Sequence, residues 1–192
     1  MTKKEIRQHC LNLLRHLSPH EKQVNSIHVC QHTLGLTAYQ QAKHIALYYS
    51  TRHEIDLSTL WTDANINNKT IYFPRITNEK TLFFLPVTHE TIFLTNKFGI
   101  HEPVVDSSQA IDPAQLDIIF LPLVAFDDHG RRLGMGAGYY DRTLSQHRPP
   151  LLIGVAHDCQ KQTQLPFDPW DVLLDKVITP TKIWVISEMN KE

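Results

Sequence analysis

The stretch Asp117-Ile118-Ile119-Phe120-Leu121-Pro122 constrains this chain more than any other. A short run that is apolar at every central position has no polar face to turn to water. As a strand it must therefore be covered on both sides, which is the condition of a strand in a parallel sheet. Its surroundings agree. His44 to Tyr49 reads as a strand, 57–64 as a helix, and 70–73 as a second strand that Pro74 should end. Further strands are expected at 151–155 and 176–178. Strands alternating with helices predict an α/β fold of three layers around a mostly parallel central sheet. Two short apolar runs, 82–85 and 91–94, flank Pro86 and read as a hairpin or an excursion from the main sheet.

The N-terminal third is helical by pattern. Ile6, Cys10, Leu13, Leu14 and Leu17 recur at helical spacing over 3–17, and predict an amphipathic helix with that stripe buried. Ser18-Pro19-His20-Glu21 then opens a second helix to about Leu34, with Ser18 as N-cap, Pro19 in the first turn and Glu21 closing a capping box.

Charge and composition exclude several function classes. Nineteen Lys and Arg against 20 Asp and Glu give a net charge of −1, so no global positive field exists to hold a nucleic-acid backbone. No apolar run approaches bilayer length, so no membrane role is expected. The N-terminus carries Lys3, Lys4, Glu5 and Arg7 instead of a secretory signal. Cys10, Cys30 and Cys159 are odd in number and widely spaced, which suits neither a disulfide framework nor a Cys-x-x-Cys metal site. A reducing cytoplasm is the expected location. One domain spanning 1–192 is expected, since no linker, repeat or low-complexity tract divides the chain.

Only seven glycines occur, yet Gly130, Gly134, Gly136 and Gly138 crowd together between the buried strand and a helix expected from about Tyr139. Glycine permits positive φ and close approach of a ligand to the main chain. Successive free N–H groups, reinforced by a helix N-terminus, can then cradle an anion. The spacing G-x-G-x-G is neither a phosphate-binding Gly-Lys-Ser/Thr loop nor the dinucleotide fingerprint, so by itself it also fits a flexible surface turn. Arg132 before the loop is suited to phosphate oxygens, and Asp141 after it offers the hard oxygen ligand of a magnesium–nucleotide complex.

Leu121-Pro122-Leu123-Val124-Ala125-Phe126-Asp127, Gly130 and Arg132-Leu133-Gly134-Met135-Gly136-Ala137-Gly138-Tyr139-Tyr140-Asp141-Arg142 together resemble the signature of the 5-formyltetrahydrofolate cyclo-ligases. Further similarity runs through Lys3-x-x-x-Arg7, residues 50–55, Pro74-Arg75, Phe98-Gly99-Ile100-His101-Glu102-Pro103, Gln160, Leu165-Pro166 and 171–179. The resemblance implies a NagB/RpiA/CoA-transferase-like architecture. It also implies ATP-dependent closure of 5-formyltetrahydrofolate to 5,10-methenyltetrahydrofolate in a monomer that uses Mg2+.

On the same basis ATP is expected at Lys3, Lys4, Arg7, Arg75, Arg132, Leu133, Gly134, Met135, Gly136, Ala137, Gly138, Tyr139 and Tyr140. Folate is expected at Tyr49, Glu54 and the loop from Met135 to Tyr139, and magnesium at Asp141 and Asp175. Bottom-up readings stand beside these. Lys3 and Arg7 border the apolar stripe and either snorkel to solvent or clamp an anion. Glu54 follows a strand, on the rim where open α/β sheets bind ligands, although a loop acid is more often merely solvated. Asp171 and Asp175 lie four positions apart, and such a pair is usually a solvated face. Trp170 stands where the family pattern has histidine, so no role is carried to that position. His28 and His32 have i, i+4 spacing but no third ligand, which argues against a zinc site. Rival functions are a sugar-phosphate isomerase or CoA-transferase-like enzyme and a nucleotide-binding module without turnover.

Overall fold

The computed structural model describes residues 1–186. Helix α1, Lys3–His16, begins with a capping box between Thr2 and Glu5 and buries Ile6, Cys10 and Leu14, the stripe expected from spacing. Helix α2, Pro19–Leu34, starts as predicted: Ser18 Oγ accepts from Glu21 N, and Glu21 Oε2 accepts from Ser18 N at 2.7 Å. Two satisfied N–H groups and a proline already at helical φ fix this start locally. The short α3, Thr37–Gln41, leads into β1, His44–Ala46, then α4, Ser58–Ile66, and β2, Thr70–Ile76.

Strand β2 corrects the expected stop at Pro74, because it runs on to Ile76 and pairs antiparallel with β3, Leu82–Val87. Strand β1 meets β2 only at Thr70, Ile71 and Tyr72, so the missing N–H of Pro74 interrupts no ladder on that side. The run 91–94 is likewise not a partner of 82–85. It supplies β4, Phe93–Thr95, which forms a separate antiparallel ribbon with β5, His101–Pro103. Next come β6, Ile118–Pro122, the β-hairpin of β7, Ala125–Phe126, and β8, Arg132–Leu133, then α5, Tyr139–Leu144. Strands β9, Leu151–Val155, β10, Lys176–Ile178, and β11, Ile183–Val185, complete the order.

Among the described residues the central sheet has seven strands in the order β11-β10-β9-β6-β1-β2-β3, parallel from β10 to β2 and antiparallel at both edges. Alternate side chains of each inner strand enter different cores. Ile45, Ile71, Phe73, Ile118, Phe120, Ile153 and Val155 pack with residues of α2, α3 and α4. Ala46, Tyr72, Ile119, Leu121 and Leu152 pack with Leu144 of α5 and with loop residues such as Leu116 and Leu174. Both faces are thus apolar, as the 118–121 run demanded, but one is covered by helices and the other chiefly by α5 and irregular segments. Among the described residues no helix is long and apolar enough to cross a membrane.

In β9, a Cβ added at Gly154 would lie 2.6 Å from Leu174 Cδ1 and 2.7 Å from Leu123 Cδ2. Both leucines are buried and have little room to swing aside. Gly154→Ala is therefore expected to cost about 1–3 kcal/mol by overpacking. Urea unfolding of the purified variant checks this, and an unchanged midpoint would contradict it.

Candidate active site

Strands β9, β6 and β1 are parallel neighbours, so their carboxyl ends open onto one edge of the sheet. The loop after β1 carries Tyr49 and Glu54, the chain after β6 leads to the glycine loop, and the chain after β9 carries His157. Ligands gather at such a rim because strands end there with loops free to diverge. A cleft of about 440 Å³ lies between α2 and the β1–α4 loop, with Glu54 in its wall. A second, of about 250 Å³, is lined by Tyr48, Tyr49, Trp61 and Phe73.

The glycine loop adopts the backbone its composition suggested. Gly136 has φ +105° and Gly138 has φ +69°, values that L side chains rarely adopt. Gly138 directly precedes α5, and a Cβ there would meet Arg142 Nη1 at 2.9 Å. Arg7 reaches this loop from α1: its Nε donates to Gly134 O at 2.8 Å. The guanidinium carbon sits 3.4 Å from where a Gly136 Cβ would be. No carboxylate pairs with Arg7 among the described residues. A cation laid on exposed, glycine-rich backbone suits phosphate oxygens.

Lys3 lies nearby in a different state. Its Nζ is 2.7 Å from both Asp168 Oδ2 and Asp171 Oδ2. Burial lowers its pKa, but the bonds to the two carboxylates outweigh this and leave it raised. Trp170, 67% exposed, stands between those two acids in sequence. Lys4 is exposed. Arg75 donates to Val105 O at 2.6 Å, away from the glycine loop's own contacts.

Arg132 is nearly enclosed, its side chain 6% exposed, and it binds Asp141 Oδ1 at 2.7 Å and the carbonyl of Val172. The same Asp141 oxygen accepts from Val172 N at 3.1 Å. This pair ties the hairpin end to the first turn of α5 and to the 168–175 segment. Burial lowers the pKa of Arg132, and the charges of Asp141 and then Asp171 oppose it without reversing it. Asp175 has other neighbours: Arg148 Nη2 at 2.7 Å and Leu152 N at 2.8 Å, at the amino end of β9. Asp171 is thus the acid that shares the surroundings of Asp141, and sequence reasoning had favoured Asp175. Residues 171–175 contain no helical turn, so four-residue spacing does not put the two on one face.

On the other side of the site Glu54 Oε2 accepts from Thr51 N at 2.7 Å. Burial nevertheless holds its carboxyl above the usual range. Burial pushes Tyr48 and Tyr140 up as well, with the Glu54 charge adding to it. The Tyr49 ring packs at a tilt against His101, 4.4 Å between centroids, and Phe93, 5.6 Å, while Phe98 meets Tyr139 edge-on at 6.3 Å. The β4–β5 ribbon and its turn therefore touch both Tyr49 and Tyr139. Phe98 and His101 had been noted as part of a motif but given no role; their aromatic character was the available signal. Leu133 is buried, whereas Met135 is 70% exposed.

Elsewhere, His32 Nε2 lies 3.1 Å from Pro180 O and His28 is exposed. Burial raises Cys10 to about 11 and Cys30 to about 12, so both thiols are protonated at neutral pH.

An open, mostly parallel sheet with a glycine loop capped by Arg7 and aromatic residues near the carboxyl ends of its strands defines an α/β protein. The 5-formyltetrahydrofolate cyclo-ligase family model matches residues 1–180. Two curated relatives carry the name 5-formyltetrahydrofolate cyclo-ligase. That of Haemophilus influenzae is 39% identical over 154 residues, covering 78% of this chain and 82% of its own. That of Escherichia coli K12 is 34% identical over 174 residues, covering 88% and 96%. The NMR structure of Aquifex aeolicus 5,10-methenyltetrahydrofolate synthetase superposes with a TM-score of 0.86 at 31% identity, covering 98% of this chain and 94% of that one. The chain belongs to the 5-formyltetrahydrofolate cyclo-ligase family.

Proposed function

We propose that this protein closes 5-formyltetrahydrofolate to 5,10-methenyltetrahydrofolate with conversion of ATP to ADP and phosphate, in the cytoplasm and as a monomer. What supports the reading, in a member of this family, is Arg7 seated on the glycine loop that opens helix α5, with Tyr140 of that helix within reach of the Glu54 charge. The reading includes a NagB/RpiA/CoA-transferase-like architecture for 1–192 as one domain.

The formyl oxygen is a poor leaving group. Transfer of the γ-phosphoryl of ATP to it gives an iminophosphate; N10 then attacks the formyl carbon and loses its proton to solvent, the C–O bond breaks, and phosphate leaves. The protein's work is to position two ligands and offset phosphate charge, and a side-chain nucleophile is not required. In this reading the loop amides and Arg7 hold phosphates. Lys3 exchanges one of its carboxylates for nucleotide, and Glu54 orients the pterin ring. Magnesium is usually bound through one or two carboxylates together with nucleotide phosphates and water, which a pair of acids can supply. Asp141 and Asp171 are the acids we assign to it, in preference to Asp175. Bound there, the ion would neutralise charge on the transferred phosphoryl group.

Family membership favours this reading over a sugar-phosphate isomerase, a CoA-transferase or a nucleotide-binding module. Purified protein with ATP, magnesium and 5-formyltetrahydrofolate should produce the methenyl chromophore and ADP in equal amounts. ATP consumption with unchanged folate, or cyclisation without ATP, would refute it.

A further inference from the structure

The 440 Å³ cleft beside Glu54 has a cationic rim whose charge no ion pair answers. Lys22, from the second turn of α2, and Arg52, from the β1–α4 loop, both border it. They meet on one imidazole: Arg52 Nε donates to His53 Nε2 at 2.7 Å, and Lys22 Nζ lies 3.4 Å from His53 Nδ1. A neutral imidazole has one acceptor nitrogen. Once Arg52 takes it, the remaining N–H faces an ammonium that has only donors.

Burial, then Lys22, Arg52 and Arg15, lower the His53 pKa and so favour the neutral ring, which cannot answer the two positive charges. Behind it His157 is 1% exposed, binds Asn25 Nδ2 through Nδ1 at 2.9 Å, and leaves Nε2 buried without a partner. Burial and then Lys22 bring that ring down to about 4, so it too is neutral. The acids of the cleft are otherwise engaged. Asp56 caps the start of α4 through Ser58 N at 2.9 Å and Ser58 Oγ at 3.0 Å, and Glu54 is held by Thr51 N. Neither Lys22 nor Arg52 is ion-paired among the described residues.

We propose that Lys22 and Arg52 form a subsite for carboxylates on the substrate, namely those of the glutamyl tail that a folate carries beyond its ring system. This rests on the functional reading above, which puts the ring at Glu54. The cleft shares Glu54 as a wall residue, so a ligand whose ring lies against Glu54 can extend its tail along the cleft toward the two cations. Serine and threonine hydroxyls along the same wall supply further donors.

The test compares 5-formyltetrahydrofolate, its triglutamyl form and the tail-less 5-formyltetrahydropteroate on wild type, Lys22→Gln, Arg52→Gln and Lys22→Arg, after thermal unfolding confirms each fold. For the glutamylated substrates each Gln variant should raise KM roughly threefold to tenfold with kcat little changed, and Lys22→Arg should restore most of the loss. The tail-less compound should show the same KM on all four proteins. An equal KM rise for the tail-less compound, a rise in the KM for ATP, or no change with any substrate would overturn the subsite. Failure of wild type to cyclise any of the three would instead overturn the reading of function on which it rests.

Discussion

Asp141→Ala should lower the stability of the protein by about 3–5 kcal/mol, before any question of catalysis arises. Breaking a buried ion pair from one side is costly because the remaining charge keeps its desolvation cost and loses its partner. Arg132, 6% exposed, would be left with the Val172 carbonyl and the more distant Asp171. The Val172 amide would lose its acceptor as well. For a chain of 192 residues such a loss corresponds to a fall in Tm on the order of 10 °C. Asp141→Asn keeps an acceptor for both donors and should lose roughly half as much. Pairing Asp141→Leu with Arg132→Met removes both charges and should recover most of the stability. A Tm for Asp141→Ala within about 2 °C of wild type would show that this pair is not structural. Any magnesium requirement of the site should therefore be read from the Asn variant, in which fold and metal binding can be measured separately.

Arg7→Ala should raise the KM for ATP about 10- to 100-fold and leave the KM for folate close to wild type. The size follows from one charge-assisted contact to phosphate, worth about 1.5–3 kcal/mol. The specificity follows from placement, since Arg7 is fixed on Gly134 O and faces Gly136, whereas the folate side proposed above consists of Glu54, Tyr49 and the β4–β5 ribbon. Arg7→Lys should recover only part of the loss, because an ammonium cannot bond the loop carbonyl and present a planar fork to phosphate together. Stability should hardly change, Arg7 being only partly buried and free of ion pairs among the described residues. Steady-state titration of ATP at saturating folate decides the matter, and an unchanged KM for ATP would return Arg7 to the role of a snorkelling side chain.

What the sequence determined by itself are the features set by near neighbours in the chain. The capping box at Ser18 and Glu21, the buried stripe of α1, the strand 118–122 covered on both faces and the glycine loop before α5 follow from local hydrogen bonds, side-chain period and permitted φ. The long motif around that loop carried the family besides. Tertiary structure decided what depends on distant segments meeting. Pro74 and Pro86 look like strand breakers, yet both lie in a ladder because β2 and β3 pair along an edge where a missing N–H is tolerated. Lys3 meets Asp168 and Asp171 across more than 160 residues, and Arg132 feels both Asp141 and Asp171 while Asp175 turns to Arg148. Ion pairing is governed by separation in space and by burial, and a loop without helical period leaves no trace of either in its spacing.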